Sequence, residues 1–285
     1  MNIFIEKNKK IKFYVVVFCF FLVIISPYNS LYHNSYGHSF DADDFSYFIS
    51  NSKLAEIELK LALESFPSNI TLATNYTDNA AGLVSDLYYF NDDVADDTDF
   101  IKRYDEIINT SNSTIQSIAL INLIDEVMNN YADSIGLDFD TTNMTNLLVL
   151  VSAKESTDKN NTEVNRDKQL EQFSTSNDFE YSYEDLFSKP TIVNYEDYKV
   201  AEDIILEINT LFQTYLKSIP NLDKSSIKAI SELERDLLSF NNMIENRESP
   251  GEIMELVHLK IHPNMQKIYE LKTSIDYDNI NENFS

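Results

Sequence analysis

His258 and His262 stand four residues apart, with Glu255 three residues before the first of them. On a helix, positions three and four apart share a face, so this spacing offers one carboxylate and two imidazoles, donors that suit zinc or iron. The zinc-protease pattern needs a glutamate directly after the first histidine, and Leu259 occupies that position. Peptide hydrolysis therefore loses its general base, and plain metal binding is left as the chemistry of this trio. The bland alternative is two partly buried histidines beside a helix-disturbing Pro263.

Other constellations are thinner. Asp92, Asp93, Asp96, Asp97 and Asp99 form an oxygen-rich stretch between Asn91 and Asp99, but it holds no glycine for a sharp turn and no closing glutamate, so the EF-hand order is absent. A solvated loop before a helix N-terminus accounts for it. Ser50-x-x-Lys53 and Ser156-x-x-Lys159 match a hydrolase tetrapeptide only as often as the composition dictates. Neither a Gly-x-Ser-x-Gly elbow nor a Cys-x-x-Cys pair occurs, and the four glycines are too few for phosphate-cradling loops. No catalytic residue is expected, and no cofactor beyond a metal cation.

The elements that must position these residues read as helices. Phe45, Phe48, Ile49, Leu59, Ala62, Leu63 and Phe66 recur at helical spacing up to Pro67, and Ala73, Tyr76, Ala80, Leu83, Val84, Leu87 and Phe90 follow after a short turn that Ser68 or Asn69 caps. Ser113-x-x-Gln116 reads as a capping box, and the helix it opens, with Leu120, Ile124, Val127, Met128, Tyr131 and Ile135, ends at Gly136 as the residue after the C-cap. Further stripes run from Ala201 to Ile219 and from Ile227 to Ile244. Ser249-Pro250 then supplies an N-cap and a first-turn proline to a last helix that Pro263 should kink. No segment alternates with period two. The spacing predicts an all-α chain of antiparallel helical hairpins forming one or two bundles.

Composition adds compartment and surface. Phe13 to Ile25 is an unbroken apolar run behind Lys7, Lys9, Lys10 and Lys12, the pattern of an export signal. As a helix it reaches about 20 Å against a hydrocarbon core of about 30 Å, which favours a cleaved signal, whereas Tyr28, Leu31 and Tyr32 at the interface would suit a retained anchor. Residues 1–26 contribute +3 to a net charge of −25, leaving −28 beyond them. That balance disfavours nucleic acid and anionic lipid. The single cysteine, Cys19, lies inside the apolar run, so the rest of the chain forms no disulfide. Seven N-x-S/T sequons occur, at Asn69, Asn75, Asn109, Asn112, Asn143, Asn160 and Asn283, an excess over composition too small to argue from, so export permits glycosylation without implying it. The expected organisation is signal or anchor over 1–26, tether over 27–40, helical bundle over 41–153, polar linker or exposed helix over 154–180, second bundle over 181–276 and disordered tail over 277–285.

Leu54 to Val84, with Leu-Ala-Glu-Ile-Glu-Leu-Lys-Leu-Ala-Leu-Glu followed by Asn69-Ile70-Thr71-Leu72-Ala73-Thr74-Asn75, resembles the helical hairpins of exported archaeal proteins. Those hairpins often carry histidine near the second helix, where this chain has Asn75 and Asn79. Tyr195 to Leu271, including Ser249-Pro250-Gly251-Glu252-Ile253, is similar to the extracytoplasmic helical domain that accompanies high-affinity iron permeases and imelysin-like proteins. The resemblance implies an extracytoplasmic helical module and leaves Glu255, His258 and His262 as its possible metal ligands. The expected function is non-enzymatic: binding of an envelope protein partner or a cation, with a metalloprotein or metalloenzyme built on those three residues as the alternative.

Overall fold

The computed structural model describes residues 44–89, 108–137, 186–217 and 224–271. Among them the regular structure is helical and contains no strand. The acidic stretch 91–99 and the polar stretch 154–180 lie outside the described residues. So do both ends of the chain. The described residues fall into two compact units divided between Ile115 and Gln116.

The first unit is built on α1 (Asp44–Ser65) and α2 (Ile70–Tyr89). They pair in opposite directions, with Phe48 and Leu87 in one apolar cluster and Asn79 Nδ2 donating to Glu58 Oε1 at 3.5 Å. Pro67 stops α1, and Asn69 opens α2 by accepting the Leu72 amide on its Oδ1 at 3.1 Å. The buried set of α1 includes Ile49, Leu54, Ala55, Ile57, Leu61 and Ala62, whereas Leu63 and Phe66, expected in the same stripe, face solvent. The stripe leaves the core before the last turn of α1.

The second unit packs four helices around one core: α3 (Ser113–Ile135), α4 (Tyr195–Leu211), α5 (Lys224–Glu245) and α6 (Pro250–Leu256, continuing through His262–Tyr269). α3 starts one residue earlier in its capping than the Ser113 box predicts. The cap is Asn112, whose Oδ1 accepts from the Thr114 and Ile115 amides at 3.0 and 3.4 Å. Gly136 does close it, at φ 75°, with the Leu137 amide bonded back to the Ala132 carbonyl at 3.0 Å. Ser249 caps α6 through the Glu252 amide at 3.3 Å, with Pro250 following in the first turn.

Two helices widen locally. α4 continues into a π turn at Phe212–Leu216, and α6 contains one at Val257–Ile261, immediately before Pro263. A proline inside a helix lacks an amide and crowds the carbonyl four residues back, and the wider turn relieves that clash. The expected disturbance at Pro263 thus takes the form of an inserted π turn within a continuous helix. Buried tyrosines join the helices across their ends: Tyr131 donates to the Glu248 carbonyl at 2.6 Å, Tyr198 to Ile244 at 2.9 Å and Tyr269 to Leu216 at 3.2 Å.

Gly251 sits under the Phe187 ring, where an added Cβ would come within 2.5 Å of a ring carbon, while Gly82 on α2 has open space around it. Gly251→Ala is expected to destabilise the fold by about 1–3 kcal/mol through overpacking. Gly82→Ala is expected to stabilise it by about 0.5–1 kcal/mol through helix propensity. Urea unfolding of both variants measures the pair, and equal midpoints would contradict this packing.

Candidate functional site

The two histidines lie on the part of α6 that widens: His258 is inside the π turn and His262 directly follows it. π turns are rare and often sit at functional sites. Both side chains are buried, at 8% and 6% exposure. Their rings meet edge to face, centroids 5.1 Å apart at 83°. The structure therefore brings the predicted pair together. Glu255, one turn earlier, is only half-buried.

Facing them is a residue that the sequence reading passed over. Asp125, in the middle of α3 and 4% exposed, places its Oδ1 3.6 Å from His262 Nε2. That distance is too long for a hydrogen bond. Neither Asp125 oxygen accepts a hydrogen bond among the described residues, although both are shielded from solvent. Burial pushes the carboxyl up to about 8, and the neighbouring Glu126 charge adds to the rise.

The other buried aspartates of this unit differ. Asp203 on α4 is held by Lys199 at 3.1 Å, and Asp236 on α5 by Arg235 at 3.2 Å with Asn264 of α6 at 3.4 Å. Asp125 has the imidazole of His262 instead of a lysine or arginine. A carboxyl and an imidazole can share one proton without net charge, whereas adding or removing a proton leaves a lone charge in the core. A cation with nitrogen and oxygen affinity would neutralise the same carboxylate. Among the described residues, however, no three His, Cys, Asp or Glu side chains are arranged to hold a metal ion.

Asp125 was legible in one respect: α3 carries no lysine or arginine, so an acidic residue between Ile121 and Met128 has no cation on its own helix. What the sequence lacks is its neighbour, 137 positions further along. The Ser50-x-x-Lys53 tetrapeptide is structural. Ser50 Oγ donates to the Tyr47 carbonyl at 3.0 Å and Lys53 lies 3.7 Å from Glu56, an ordinary helix-face pair.

The raised carboxyl of Asp125 fixes a sign. Above its ordinary value of 3.8 the unfolded chain releases this proton while the folded chain keeps it up to about 8. The contribution of Asp125 to stability is therefore full below pH 4 and is lost as pH rises through 8. Asp125→Asn should flatten the fall in melting temperature between pH 5 and 9. An unchanged slope in the variant would show that Asp125 titrates as an exposed carboxylate.

No protein-family model, curated protein or solved structure matches the chain.

Proposed function

We propose that the chain is an exported, acidic, non-enzymatic helical module of the cell envelope or surface that binds a protein partner or a cation. The basic-then-apolar segment ending at Ile25 supports export, and in this reading any membrane attachment runs through that segment. Among the described residues no helix is long and apolar enough to cross a membrane. The charge of −28 beyond residue 26 supports attraction of cations and of basic protein surfaces.

The observation that carries the reading is the desolvated Asp125 carboxyl against His262, with His258 beside it. Organic substrates do not reach side chains at 4–8% exposure without an opening, which counts against catalysis at this cluster. A proton or a bare metal cation is small enough to enter. In the cation reading, Asp125 and His262 supply the closest pair of donors, with His258 beside them and Glu255 one turn earlier on the same helix.

Calorimetric titration of the full chain with Zn, Fe and Cu salts tests the cation reading. Heats are expected for the native chain and are expected to disappear in His258→Ala/His262→Ala and in Asp125→Asn. Equal heats in all three would remove this site. Retention of a protein from envelope fractions on the immobilised chain is the corresponding test for a partner, and a chain that holds neither cation nor protein is not a binding module.

A further inference from the structure

The turn between α1 and α2 combines an exposed apolar surface with a modification sequence. Leu63, Phe66 and Ile70 are 67%, 65% and 69% exposed, three large apolar side chains within eight residues of one turn. Three exposed apolar side chains this close in the chain offer an apolar surface that a bound group could cover. In their midst stands Asn69, in the sequon Asn69-Ile70-Thr71. Asn69 is exposed, and its carbonyl oxygen Oδ1 is the group that caps α2. Its amide nitrogen Nδ2, the atom that carries an N-linked glycan, takes no part in that bond.

The other sequons within the described residues lack this combination. Asn75-Tyr76-Thr77 lies inside α2, where the Thr77 hydroxyl is tied to the Ala73 carbonyl at 2.7 Å and Tyr76 is buried. Asn112 caps α3 as Asn69 caps α2, and Asn109 precedes it in the same connection, but among the described apolar neighbours Ile108 is buried and Ile115 half-buried.

We propose that Asn69 is an N-glycosylation site whose glycan covers the apolar turn. The proposal rests on the export reading, because the transfer takes place on the far side of the export membrane. The donor is a polyprenyl-phosphate-linked oligosaccharide. Asn69 Nδ2 attacks the anomeric carbon of its first sugar, and a carbon–nitrogen bond forms. The carbon–oxygen bond to the lipid phosphate breaks, the phosphate leaves with the bonding pair, and the amide proton passes to a base of the transferase. Oδ1 keeps its lone pairs throughout, so the cap on α2 survives modification. Phe66, three residues before Asn69, offers an exposed ring against which the C–H face of the first sugar can lie, which gives the glycan a seat on the protein surface.

The test uses the full chain with its own N-terminal segment in a secreting eukaryotic host, and export is scored separately by surface or medium recovery. In exported chain, the peptide containing Asn69 is expected to carry a glycan mass, and peptide-N-glycosidase is expected to remove it and leave aspartate. Thr71→Ala should abolish the glycan while leaving the Asn69 cap and the helical signal intact. The bare Thr71→Ala chain should bind several-fold more of an apolar dye than the native chain, and Phe66→Ser added to it should remove most of that excess. Exported chain with an unmodified Asn69 peptide overturns the site and leaves the export reading standing. Glycan without any change in dye binding overturns the covering role. Chain that stays inside the cell overturns the export reading and the site with it.

Discussion

Burial of α3 on nearly every face is the constraint on which the second unit depends. Ala119, Leu120, Ile121, Leu123, Ile124 and Val127 have no measurable exposure, and Gln116, Ser117 and Ser134 are buried with them. The helix keeps only a narrow, partly exposed stripe, Asn122, Glu126, Asn129, Asn130 and Asp133, and Asp125 lies off it. Asp125 is therefore held away from water by its position on the helix, and nothing short of an opening between α3 and α6 could hydrate it. Whatever this carboxyl does, it does with a proton, with His262 or with a small cation.

The remaining helices are fixed mainly at their ends. Each of three buried tyrosines delivers its hydroxyl to a backbone carbonyl at or just past a helix end. At the end of the π turn that closes α4, the Leu216 carbonyl accepts from Tyr269 at the end of α6. At the α5–α6 connection Arg247 adopts φ 56° and lays its guanidinium over the Tyr198 ring, 5.3 Å from its centroid. These contacts set the helices in register and bring the α6 histidines opposite Asp125, while the apolar stripes supply the bulk of the burial.

Local chemistry was readable from the sequence wherever it is self-contained. The caps at Asn69 and Ser249, the left-handed Gly136 and the stripes of α4 to α6 each depend on residues within a turn or two of one another. The all-helical class followed from the same periodicity. Legibility failed where the outcome depends on distant partners. Leu63, Phe66 and Ile227 keep the helical period yet lie outside the core, because periodicity records which residues share a face and not how far the neighbouring element extends. Asp125 next to Glu126 looks like a solvated acidic pair, and only the approach of α6 makes it a buried one. His258 and His262 were visible as neighbours on one face; the carboxyl that faces them was not.

The Ser134 carbonyl, near the end of α3, accepts the amides of both Val193 and Asn194, at 2.8 and 3.0 Å, just where α4 begins. The end of α3 and the start of α4 are thus clasped at one carbonyl. Closing a longer or shorter segment between such fixed ends costs only a slowly growing, logarithmic entropy. A change in the number of residues joining Leu137 to Leu186 is therefore expected to weaken this clasp little.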